Sequence, residues 1–123
     1  MGKKVGLWID YDKAIIVSID ADDEDIAIIR SNADGEGLFS ENMSEWRQRQ
    51  LHKYYREIIF EINDAEKILI FGPDEAKDEL EKQMKQSYSL SRKIAAVETA
   101  DTMTEDQIRV KVREFNKLLM SHA

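Results

Sequence analysis

Ile68-Leu69-Ile70-Phe71-Gly72-Pro73-Asp74-Glu75-Ala76-Lys77 reads as a strand, a turn and the start of a helix. Four apolar residues of strand-forming type end at a Gly-Pro break, and two acids and then a lysine follow. Pro73 suits the first helical position, because a donor there would have no partner inside the helix. Asp74 and Glu75 suit the positive end of the helix dipole. Strands that run into helices in this way build open α/β sheets, whose sites gather at the carboxyl ends of the strands.

Upstream of this joint, Val5 to Ile9, Ala14 to Ile19 and Ile26 to Ile29 read as three strands. Tyr11-Asp12-Lys13 supplies the first turn, and the acidic run Asp20-Ala21-Asp22-Asp23-Glu24-Asp25 supplies the second. Two short links in succession imply an antiparallel meander. Residues 32 to 43 form the one long loop, and a helix is expected from Ser44 to Ile62. Its apolar stripe is Leu51, Tyr54, Tyr55, Ile58, Ile59 and Ile62, at three- and four-residue spacing. Downstream, a second helix should span Asp74 to Lys85, a polar connection Gln86 to Arg92, and a fifth strand Ile94 to Val97. A third helix starts near Thr104, with Gln107 completing a capping box and Ile108, Val112, Phe115 and Leu119 facing inward.

The order is therefore β-β-β-α-β-α-β-α, in one domain covering residues 1–123. Strands joined through helices pair in parallel, so the expected fold is a mixed five-stranded sheet of ribonuclease-H-like type. An antiparallel meander leads into parallel strands, and helices cover both faces.

Composition narrows function more than it defines it. The 123 residues carry 42% hydrophobic and 35% charged side chains, as an ordinary water-soluble domain does. Cysteine is absent, which excludes disulfides, thiolate metal sites and cysteine nucleophiles. No apolar run approaches the roughly 18 residues of a membrane-spanning helix. Met1-Gly2-Lys3-Lys4 leads straight into a strand, without the pattern of a signal peptide, so the cytoplasm is the expected location. The net charge of −7 argues against nonspecific binding to free nucleic acid, where phosphate neutralisation supplies most of the affinity.

Four constellations are candidates for chemistry. Asp10 at the end of the first strand, with Glu57 or Glu61 on the long helix, could hold Mg²⁺ for phosphodiester cleavage, but the fourth strand has no acid to complete the set. The alternative for Asp10 is a turn. The Gly72–Lys77 joint could bind phosphate at a helix N-terminus, although Pro73 removes a donor and two acids already occupy that end. Arg49, Lys53 and Arg56 fall at i, i+4 and i+7 on the long helix, away from its apolar stripe, with Arg47 and His52 beside them. These five residues form the candidate surface for RNA or the ribosome, against the alternative of a solvated face. Arg109, Lys111, Arg113 and Lys117 make a second basic set on the last helix. The acidic run 20–25 lacks the glycine and distal glutamate of a calcium loop. His52 and His122 are too isolated to pair. No cofactor or metal set is complete.

Three segments together resemble the middle domain of archaeal and eukaryotic peptide-chain release factors and of Pelota. They are Gly6-Leu7-Trp8-Ile9-Asp10-Tyr11-Asp12-Lys13-Ala14, Arg47-Gln48-Arg49-Gln50-Leu51-His52-Lys53-Tyr54-Tyr55 and Ile68 to Lys77. The tail Val97 to Ile108 is similar to small bacterial stand-alone relatives of that domain. The resemblance implies the same sheet and a partner among ribosomes or translation factors. Release factors carry Gly-Gly-Gln in the loop before the long helix, whereas Gly35-Glu36-Gly37 stands here without a glutamine. The resemblance thus implies a scaffold without peptide-release chemistry. A Mg²⁺-dependent nuclease and a self-associating interaction module are the alternative readings.

Overall fold

Strand β1 (Lys4–Ile9) lies at the centre of the sheet, between β2 (Lys13–Asp20) and β4 (Lys67–Gly72). The computed structural model describes residues 2–33 and 43–121. The sheet order is β3-β2-β1-β4-β5, with β3 (Asp23–Arg30) and β5 (Ile94–Thr99) at its edges. β1 pairs antiparallel with β2 and parallel with β4, β2 pairs antiparallel with β3, and β4 pairs parallel with β5. This is the expected meander followed by parallel strands, consistent with a ribonuclease-H-like arrangement. The remaining elements are α1 (Met43–Ile62), α2 (Ala76–Met84), α3 (Tyr88–Ser91) and α4 (Glu105–Ser121).

Alternation along the strands sorts the core into two layers. Leu7, Ile9, Ile16, Ile68 and Ile70 meet Leu51, Tyr54, Tyr55, Ile58 and Ile62 of α1 and Ala76, Leu80 and Met84 of α2. Trp8, Ile15, Val17, Leu69 and Phe71 point the other way and meet Ile108 and Val112 of α4. A side chain at Gly6 would place its Cβ 2.4 Å from Val112 Cγ2, so the glycine lets α4 lie directly on β1. The indole N–H of Trp8 donates to the carbonyl of Asp101 at 3.2 Å, which satisfies the polar atom of a side chain that is otherwise buried.

Several boundaries differ from the sequence reading. β2 and β3 extend into the acidic run, leaving Ala21-Asp22 as a tight turn with Ala21 at a φ of 56°. α2 does not start at Asp74 with Pro73 in its first turn, but at Ala76. Gly72 stays in the strand because its carbonyl accepts the N–H of Ala100 at 2.8 Å, and Asp74 then closes the bend by accepting the N–H of Ala76 at 3.0 Å. The 86–92 connection contains the single turn α3, and β5 runs on to Thr99. A register shift between Ile68 and Leu69 leaves Ala95 as an extra residue in β5. The long-loop expectation, with Gly35-Glu36-Gly37, falls mostly on 34–42, outside the described residues, as does His122. Among the described residues, no helix is long and apolar enough to cross a membrane.

Candidate functional site

Because α1 buries Leu51, Tyr54, Tyr55, Ile58 and Ile62 against the sheet, its opposite side must face water. Arg47, Arg49, His52, Lys53 and Arg56 are all exposed. All five line one open groove, which α2 and the segment after it complete with Glu79, Lys82, Gln83 and Gln86. The structure therefore gathers every residue of the predicted basic surface, and adds Lys82 from a second helix.

The two basic helices are electrostatically different. On α4, Arg113 pairs with Glu24 of β3 at 2.7 Å, Lys111 with Glu98 of β5 at 2.9 Å, and Arg109 with Glu24 at 3.7 Å. Arg109 also lies 3.7 Å from Glu105 and 3.9 Å from Asp106. Those charges tie α4 to the strands beneath it. Among the described residues, Arg49, Lys53 and Arg56 make no ion pair. Arg47 rests its guanidinium over the ring of Tyr11, 5.2 Å from the centroid.

At one end of the groove a tyrosine pair converges on a single carboxylate. The hydroxyl of Tyr11 donates to Glu79 Oε2 at 2.7 Å, and that of Tyr55 donates to Glu79 Oε1 at 2.8 Å. Burial, and then the contact with Glu79, raise both tyrosine hydroxyls well above the ordinary tyrosine range. They are donors, not phenolates, at neutral pH. Tyr54 beside them donates to the carbonyl of Asp10 at 2.9 Å, and burial raises its hydroxyl too. The sequence reading placed Tyr11 in a turn and Tyr55 in the apolar stripe, and it did not single out Glu79. The contacts join residues 68 and 24 positions apart, so no local spacing announces them.

The other candidates resolve differently. Asp10 uses its carboxylate in the turn, accepting the N–H groups of Asp12 and Lys13, each at 2.8 Å. Glu57 and Glu61 line a separate shallow groove with Ile29, Lys53, Arg56 and Phe60. Among the described residues, no group of three or more His, Asp or Glu side chains is placed to hold a metal ion. At the strand–helix joint, Lys77 turns its ammonium back onto the carbonyl of Asp74 at 2.7 Å and toward Asp78 at 3.4 Å. That cation closes the bend and does not point to an open anion site.

No protein-family model matches the sequence, and no curated protein does. Solved structures with a similar fold include an archaeal translation termination factor, aRF1, with a TM-score of 0.52 and 12% identity over 86% of this chain and 32% of that one. The Pelota protein of Thermoplasma acidophilum gives 0.58 and 18%, covering 89% of this chain and 31% of that one. Pelota of Archaeoglobus fulgidus gives 0.54 and 14%, covering 92% and 31%. This chain spans about a third of the length of each. At such identities the likeness is one of fold.

Proposed function

We propose that this protein is a non-catalytic accessory factor of translation that docks on the ribosome, or on a factor bound to it, through the exposed face of α1. The observation that carries the reading is the set of cations at Arg49, Lys53 and Arg56, which find no carboxylate among the described residues while those of α4 at 109, 111 and 113 are paired. Exposed cations without a partner cost little to desolvate against phosphate and release its counterions. Arg47 and His52 extend the surface, and Lys82 frames its far side. The whole chain carries −7, so phosphate contacts alone would hold nucleic acid weakly, and the local patch calls for a partner that adds other contacts or presents its phosphates in a fixed arrangement. The fold shared with a termination factor and with Pelota supports translation as the system, and that setting would place the protein in the cytoplasm. No observation favours the nuclease or the self-association reading over this one.

The test is co-sedimentation with ribosomes from lysate at low and moderate salt. The wild-type protein should associate in a salt-sensitive manner. Reversal of charge at Arg49→Glu, Lys53→Glu and Arg56→Glu should weaken the association and reduce the slope of log K against log salt by about 2 to 3. Association unchanged by the reversal would remove this surface from consideration.

A further inference from the structure

Phe60 is 77% exposed on α1, although Ile59 beside it packs against the core. A lone exposed aromatic needs no explanation, but this one continues a row. Residues 49, 53, 56 and 60 follow i, i+4, i+7 and i+11, so three cations and an aromatic ring stand one above another on the same helical face. The row is about 16 Å long at 1.5 Å per residue, a span of a few nucleotides. Where it ends, Ile29 of β3, Lys53, Arg56, Glu57, Phe60 and Glu61 enclose a shallow groove. Neither the two cations nor the two carboxylates of this groove form ion pairs among the described residues.

We infer that this groove between α1 and β3 is a nucleobase subsite for single-stranded RNA. The inference rests on the translation reading above and specifies what the α1 face would recognise. Lys53 and Arg56 would hold backbone phosphates arriving along the row from Arg49. The ring of Phe60 offers a flat face on which an unpaired base stacks, and Ile29 supplies the apolar floor. Glu57 and Glu61 repel phosphate from this end, but as pure acceptors they suit the exocyclic amino group and ring N–H donors of a base edge. An acidic peptide would satisfy the cations equally well. It would leave the carboxylates facing like charge and the aromatic ring without a role, so the charge pattern favours RNA.

The experiment compares a short fluorescent oligocytidylate with the matching abasic ribose-phosphate oligomer, by anisotropy at low salt. The wild-type protein should prefer the base-bearing strand by about tenfold. Phe60→Ala, a change at an exposed site outside the core, should erase that preference and leave abasic binding unchanged. Phe60→Trp should restore it and show quenched emission on binding. Equal affinity of the wild type for the two oligomers, or an undiminished preference in Phe60→Ala, overturns the inference. So does binding of polyglutamate as tight as that of oligocytidylate, which would mean the surface reads charge alone. Ribosome association that is lost on charge reversal at 49, 53 and 56 but indifferent to Phe60→Ala and Phe60→Trp would retain the accessory reading and reject the base subsite. Association untouched by charge reversal would reject both.

Discussion

Glu79 accepts hydrogen bonds from Tyr11 and Tyr55, and only the protonated tyrosines can supply them. Burial and this carboxylate raise both hydroxyls in the folded chain, whereas the unfolded chain titrates its tyrosines near pH 10. The sign follows from linkage: the stabilisation is fully present below the unfolded value and is lost as pH rises above it. Urea unfolding should therefore give a stability that declines through about pH 10 to 11, with a shallower decline in Tyr55→Phe than in the wild type. An identical slope in the two proteins would mean that neither burial nor Glu79 raises the Tyr55 hydroxyl in the folded chain. Gly72 illustrates a different constraint at the same scale. A Cβ there would lie 2.1 Å from the carbonyl oxygen of Ile9, so the close passage of β4 beside the end of β1 requires glycine.

Among the elements, α1 and α4 carry similar numbers of cations and use them differently. α4 lies on the face of the sheet whose edge strands present Glu24 and Glu98, and its arginines and Lys111 are held there. α1 lies on the other face, over Leu7, Ile16 and Ile70, and among the described residues its Arg49, Lys53 and Arg56 make no ion pair. The start of α4 was readable in advance, because a capping box is a pattern within four residues. Gln107 Oε1 accepts the N–H of Thr104 at 2.9 Å, and Thr104 Oγ1 accepts the N–H of Gln107 at 3.2 Å. Thr104→Ala should cost about 1 kcal/mol of stability, read as a lower denaturation midpoint at unchanged m-value. Thr104→Ser should cost much less, and equal losses in the two variants would deny the hydroxyl its capping role. The start of α2 was misread because Gly-Pro-Asp-Glu carries a helix-start signal that a long-range bond overrides. The N–H of Ala100 holds the carbonyl of Gly72 within the sheet.

For the whole molecule, the two apolar layers share the same strands. Leu7 and Ile9 belong to the layer under α1, Trp8 lies between them in sequence and belongs to the layer under α4. Neither layer can lose its strands without exposing the other. Unfolding in denaturant should then be one transition, with the midpoint read from tryptophan fluorescence, to which Trp8 contributes, equal to that read from far-ultraviolet dichroism. Val112→Ala, on the α4 face, should lower both midpoints together by the equivalent of about 1 to 2 kcal/mol. Separate midpoints would show that the two faces of the sheet melt independently.

The sequence by itself determined the class of fold and the inward sides of α1 and α4, because hydrophobic periods, turn residues and a capping box are properties of near neighbours. It also placed Arg47, Arg49, His52, Lys53 and Arg56 on one helix, and the spacing of Arg49, Lys53 and Arg56 put those three on one face. Only the tertiary structure decided which basic helix is neutralised, since Arg113 and Glu24 are 89 positions apart. It also decided that Asp10 serves a turn and that Glu79 anchors two tyrosines. The groove that brings Phe60, Glu57 and Glu61 against Ile29 likewise exists only once β3 lies beside α1. Each of these is a meeting between segments remote in the chain, set by strand order and sheet face, and no local pattern encodes it.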